Sequence, residues 1–234
     1  FNTLLDDDEA FALRRASFRE FVDALPLTHP EALDTVAELD LDFDALLAGY
    51  DLLCEQSDVE FAAGDSAPPD VSSAISQIEG FVNVLLPMIA VTEGECDPLQ
   101  QAVLRAERLF KDDRSMLRDA TIISLFMPKG VGDVVLKKWR DRDEAKVLKQ
   151  ELFPGLKRGV IVPAFREIQA WRYARLMPLL ADAREFFSGK KSAAGVLDNN
   201  DVLLRARDML RDHPLLRATL AARYTHVLVD EFQD

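Results

Sequence analysis

The chain has 234 residues, nearly half of them apolar and 29% charged, which excludes intrinsic disorder and allows a sizeable core. Two distant cysteines, Cys54 and Cys96, and three scattered histidines exclude a disulfide framework and a zinc site. The longest apolar run, residues 81–91, is interrupted by Asn83 and Pro87 and is too short to span a bilayer.

Taken in chain order, the first element reads as a helix. Asp6 can cap it, and Phe11, Phe18, Phe21, Val22 and Leu25 fall on one stripe. Pro30 suits the first turn of a second helix, and Phe43, Leu46, Leu47, Tyr50 and Leu53 stripe a third. Residues 57–70, with Gly64, Pro68 and Pro69, read as a loop. Helical texture resumes over residues 71–89 and again over 98–125. It loosens over 126–142 around Pro128, Gly130 and Gly132. A long helix is predicted over 163–187, a small-residue linker over 188–195, and two short helices over 201–211 and 214–222. Residues 225–229, in the apolar and β-branched run from Tyr224 to Val229, form the one predicted strand, of the kind buried on both faces of a parallel sheet.

The net charge of −13 hides a strong segregation. Residues 1–100 hold 3 Lys or Arg against 22 Asp or Glu, whereas residues 101–191 hold 20 against 12. From charge alone, two solvated helical surfaces of opposite sign fit as well as a buried functional meaning does. Lys137, Lys138, Trp139 and Arg140 combine cations with an aromatic ring, as do Trp171, Arg172 and Arg175. Phosphate neutralisation and base stacking both use such groups, so Lys137, Lys138, Trp139, Arg140 and Arg172 are candidate DNA contacts. Trp171 lies inside a predicted amphipathic helix and is read as core; for Trp139 the core and platform readings stand side by side.

The predicted strand runs straight into Asp230-Glu231-Phe232-Gln233-Asp234. Carboxylates at the end of a parallel strand sit where open α/β sheets bind ligands. There one carboxylate can hold a hydrated Mg²⁺ on nucleotide phosphates and its neighbour can activate water. An acidic turn after any strand would look similar if only Asp-Glu were present.

The longer string HVLVDEFQD resembles motif II, the Walker B motif, of the superfamily 1 helicases of the UvrD, Rep, RecB and AddA group. The preceding VLDNNDVLLRARDMLRDHPLLRATLAARYT is similar to that group's lead-in, an Asp-rich segment followed by two helices. One departure is Asn199-Asn200, where the group more often has Phe followed by an acidic or polar residue. The resemblance implies that Asp230 is the Mg²⁺-associated carboxylate and Glu231 the general base for attack on the γ-phosphate. It implies that Gln233 senses that phosphate, with Phe232 packing beneath the motif and Asp234 completing it.

A phosphate-binding loop, GxxxxGK[ST], does not occur in these residues. Gly189-Lys190-Lys191-Ser192 is rejected as one, because Lys191 replaces the hydroxyl residue and no strand precedes it. FNTLLDDDEA resembles the segment after the group's early DNA-contacting motif, so the phosphate loop is expected upstream of Phe1. The missing initiator Met and the end just past the strand are read as those of a piece of a longer chain. By itself that piece is expected neither to bind nor to hydrolyse ATP.

The fold implied is mostly α: a helical accessory domain over 1–197, inserted in a RecA-like P-loop NTPase core of which 198–234 form the last pieces. PKGVGDVVLKKW and the charged segment after it lean towards the RecB/AddA helicase–nuclease branch, exodeoxyribonuclease V beta-like; a compact Rep/UvrD-type helicase is the alternative. The implied function is ATP-dependent, Mg²⁺-dependent DNA translocation in repair or recombination. DNA and further subunits of a helicase–nuclease complex are the expected partners, and the cytoplasm the expected compartment. A helical protein-binding adaptor is the rival from another class.

Overall fold

A computed structural model describes residues 3–56, 64, 67–224, 226 and 228. Its described residues are mostly helical and fall into two compact units.

The first unit comprises the described residues of Phe1–Leu33, Asp42–Phe61 and Leu179–Asp234. Helix α1 (Asp7–Thr28) starts at a capping box: the Glu9 N–H donates to Asp6 Oδ1 at 2.8 Å, and the Asp6 N–H donates back to the Glu9 carboxylate at 3.2 Å. That satisfies two helix-end donors and places carboxylates on the positive end of the helix dipole. Phe18, Phe21 and Leu25 of α1 are buried. Helix α2 (Pro30–Glu38) begins on proline and is divided between the two units at Leu33, and α3 (Phe43–Glu55), capped by Asp42, buries Leu46, Leu47, Tyr50 and Leu53. Phe18 stacks on Tyr50 with ring centroids 4.5 Å apart. Each such fully buried large apolar side chain contributes on the order of 1.5–3 kcal/mol. Phe11, predicted on the buried stripe, is instead 45% exposed, with the Arg15 guanidinium 4.6 Å over its ring. A cation over an aromatic face compensates part of that exposure.

Two short strands belong to this unit, and neither was predicted: β1 (Thr3–Leu4) and β2 (Val196–Leu197), paired in parallel. The Thr3 N–H donates to the Gly195 carbonyl at 3.0 Å and the Leu5 N–H to the Leu197 carbonyl at 2.8 Å. Nothing local marks two-residue strands; only the pairing defines them.

The second unit comprises the described residues of Asp34–Leu41 and Ala62–Pro178. Its core gathers Ile75, Ile78, Val82 and Leu85 of α4 (Ser72–Leu85), Leu99, Val103 and Ala106 of α5 (Pro98–Leu109), and Ile122 and Ile123 of α6 (Met116–Leu125). Phe126, Trp139, Leu148, Phe153, Ile161 and Ile168 complete it. From Arg142 the backbone is helical without a break to Ala194. It passes through α7 (Arg142–Val147), a π-helical turn, α8 (Phe153–Leu156), a second π-helical turn and α9 (Val162–Ala194). The helix predicted over 163–187 therefore begins earlier and runs on through the predicted linker. Lys190, Lys191, Ala193 and Ala194 in that stretch are good helix formers and carry it past Ser188 and Gly189. Gly195, at φ +66°, is what ends it, in the left-handed conformation that favours glycine after a helix.

Helices α10 (Asn199–Asp212) and α11 (Pro214–Arg223) follow, close to their predicted bounds. The predicted strand over 225–229 lies outside the described residues except for His226 and Leu228, which carry no regular structure. Among the described residues no helix is long and apolar enough to cross a membrane.

Candidate nucleic-acid interface

The segment that loosens in sequence, residues 126–142, is bolted to the core of the second unit through one buried carboxylate. Asp97 caps α5 in a box with Gln100: the Gln100 N–H donates to Asp97 Oδ1 at 2.9 Å, and the Asp97 N–H donates to Gln100 Oε1 at 2.9 Å. The other carboxylate oxygen accepts the Val135 N–H at 2.9 Å and the Trp139 indole N–H at 2.8 Å. Gln100 also donates its Nε2 to the Lys138 carbonyl at 3.0 Å. Asp97 is 1% and Gln100 0% exposed. A carboxylate so far from water is stable only with its lone pairs met by donors, and here three N–H groups converge on it. The Arg140 N–H donates to the Met88 carbonyl at 3.0 Å, holding the far end of the segment. Asp97 and Gln100 were missed as functional candidates, although Asp-Pro-x-Gln is a legible capping box with proline at the first helical position.

The candidate contacts divide sharply around this bracket. Lys137 and Arg140 are exposed and, among the described residues, have no carboxylate partner. Lys138 is half-buried and donates its ammonium to the Glu95 carbonyl. Lys149 and Lys157 act alike, on the Val134 carbonyl at 3.3 Å and the Met127 carbonyl at 2.7 Å. Burial holds the Lys157 ammonium below the usual lysine range. Part of the positive excess in this region thus caps carbonyls of the segment. Trp139 is 3% exposed with its N–H on Asp97, so the ring packs as core and presents no face for a base to stack on. Trp171 is equally buried, as the amphipathic pattern suggests. Arg172 is half-buried in α9, and Arg175 pairs with Glu38 at 2.7 Å.

Asp230, Glu231 and Gln233, expected to serve nucleotide chemistry, lie outside the described residues, as do Phe232 and Asp234. The lead-in before them is described. Gly189-Lys190-Lys191-Ser192 is part of helix α9, not a phosphate loop. The Lys191 ammonium lies 2.7 Å from Asp198 and 2.6 Å from Asp201, and 4.7 Å over the Phe187 ring. Burial pushes the Asp198 carboxyl up, but hydrogen bonds from Lys191 and the Asp201 N–H outweigh it and hold the group below the usual carboxylate range. Asn199 donates to the Asp7 carboxylate at 3.1 Å and Asn200 to the Cys54 carbonyl at 3.5 Å, so the two residues that depart from the helicase pattern find partners of their own. A cleft of about 790 Å³ in this unit is lined in part by Lys191, Asp198 and Asp201, which pair with one another. Burial pushes the nearby Cys54 thiol and Tyr50 phenol up. Among the described residues no cluster of His, Cys, Asp or Glu could hold a metal ion.

The described residues thus combine two exposed cations on an anchored segment with an Asp198-capped helix and a second helix ahead of HVLVDEFQD. The family model described as the UvrD/REP helicase N-terminal domain matches residues 106–234, more than half the chain, and the chain belongs to that family. Membership relates it to the ATP-dependent DNA helicases, a family whose members bind ATP and DNA. The match begins well upstream of the stretch whose motifs carry the resemblance, and it takes in the whole 126–142 segment. No curated protein and no solved structure matches the chain.

Proposed function

We propose that this chain is the part of a DNA helicase that joins a helical accessory insert to motif II of a RecA-like ATPase core. The supporting observation is HVLVDEFQD, which lies inside the residues that match the helicase family. In this reading Asp230 associates with the nucleotide's Mg²⁺, Glu231 activates the attacking water and Gln233 senses the γ-phosphate. These residues supply carboxylates but no phosphate-binding loop, so the chain by itself does not fit Mg-ATP, and no catalytic step is assigned to it alone.

The parallel pairing of Thr3–Leu4 with Val196–Leu197 supports an insertion, since it brings the two flanks of the intervening helices side by side. The grouping of Phe1–Leu33 with Leu179–Asp234 favours drawing the insert more narrowly than residues 1–197, around Ala62–Pro178. PKGVGDVVLKKW continues to favour the helicase–nuclease branch and a role in repair or recombination. Lys137, Lys138, Arg140 and Arg172 are the proposed DNA contacts, Lys137 and Arg140 being the exposed ones.

The test is Glu231→Gln in the intact helicase. The amide keeps the shape and loses the base, so nucleotide affinity should hold while DNA-stimulated phosphate release falls roughly 10²–10⁴-fold. Turnover at the wild-type rate would exclude this assignment.

A further inference from the structure

The bracket around Asp97 carries a consequence for how the second unit meets nucleic acid. Its carboxylate is 1% exposed, and two of the three N–H groups that satisfy it, from Val135 and the Trp139 indole, come from the segment that carries the exposed cations. If that segment shifts, a buried charge loses its donors, which is costly; its conformation is therefore tied to the desolvation of Asp97. Gln100, through the Lys138 carbonyl, and Met88, through the Arg140 N–H, restrain the same stretch. Between these fixed points lies Lys137, and at their edge Arg140, both exposed and without a carboxylate partner among the described residues. The only aromatic ring in the 129–142 stretch is Trp139, and it is buried. Cations held in place without a stacking platform suit the phosphodiester backbone and not the bases.

We propose that Asp97 is a positioning residue for DNA: its buried carboxylate holds residues 134–140 in one conformation, so that Lys137 and Arg140 meet backbone phosphates without reading base identity. This rests on the DNA reading given above. The sign of the expected effect separates it from plain electrostatics. Asp97→Asn removes a negative charge, which by long-range attraction alone tightens DNA binding. Positioning requires the opposite, because the amide's own N–H₂ faces donors where the carboxylate accepted them.

The experiment measures binding of the full chain to a short blunt duplex across a salt titration, with two duplexes of different sequence. The paired change Lys137→Ala with Arg140→Ala, which leaves the bracket intact, should flatten the slope of log K against log salt by roughly 1.8, since each phosphate contact contributes about 0.9. Asp97→Asn should weaken binding roughly three- to tenfold and flatten the slope in the same sense while far-UV circular dichroism stays as in the wild type. The two duplexes should bind alike. Asp97→Asn that binds as tightly as the wild type or tighter, with the wild-type slope, overturns the inference and leaves the DNA reading standing. A wild-type slope in the double Ala variant, or no binding by the wild type, overturns the DNA reading and the inference with it. If Asp97→Asn does not fold, Trp139→Phe decides by the same criteria, since it keeps the ring in the core and removes one donor from the carboxylate.

Discussion

Lys190 and Lys191 are adjacent on helix α9, and each pairs with acid, yet their removal should have very different effects on stability. Lys190 sits 2.5 Å from Glu20, with side chains 38% and 58% exposed. Lys191 lies between Asp198 and Asp201 at 2.7 and 2.6 Å, its own side chain only 10% exposed and theirs 18% and 24%. Taking one partner from a fully buried ion pair costs about 3–5 kcal/mol, because the remaining charge stays desolvated. In Lys191→Met the two carboxylates keep their backbone donors, at 2.8 and 3.1 Å, and some access to water. That lowers the expected loss to about 2–3 kcal/mol. Methionine keeps an unbranched side chain of similar length beside Phe187 but removes the cation over its ring, so the loss reports on charge, that cation–π contact included. Lys190→Met, an exposed pair, should stay within about 0.5 kcal/mol of the wild type. Urea unfolding followed by far-UV circular dichroism checks both, the midpoint for Lys191→Met falling by about 1 M at unchanged slope. Equal midpoints for the two variants would refute the claim that burial, not the presence of a salt bridge, decides this contribution.

The same cluster gives a pH dependence. Asp198 has its folded pKa held low, so its contribution is fully present above the ordinary carboxylate range and is lost as pH falls through it towards the lowered value. Urea midpoints measured down an acid series should decline less steeply for Asp198→Asn than for the wild type. Glycine substitutions should split by backbone conformation: Gly195→Ala, at φ +66° with open space around it, should lose about 1 kcal/mol from strain alone. Gly80→Ala, in the middle of α4 with equally open space, should gain about 0.5–1 kcal/mol from helix propensity; thermal melts that move both variants the same way would refute this.

Much of the helical framework is written locally. Asp6 with Glu9 marks the start of a helix within four residues, and Phe18, Phe21 and Leu25 repeat at the spacing of one helical face. Pro30 and Pro214 mark helix starts in the same way. Such signals survive reading without coordinates because each acts within a turn or two of backbone. The nine-residue string HVLVDEFQD is equally local, and it pointed to the helicase family that the match over residues 106–234 establishes.

What tertiary structure alone decided are the long-range matters. Trp139 faced two readings in sequence; a hydrogen bond to Asp97, 42 residues earlier, makes it core. Lys191 reads in sequence as part of a small-residue linker, yet it is a buried cation between two aspartates across the turn at Gly195. Strands of two residues at Thr3–Leu4 and Val196–Leu197 carry no periodicity that could be recognised and exist only as a pair. Local sequence sets the preferences of a segment, but burial and charge pairing depend on which distant segment arrives beside it. That arrival is governed by the packing of the whole unit.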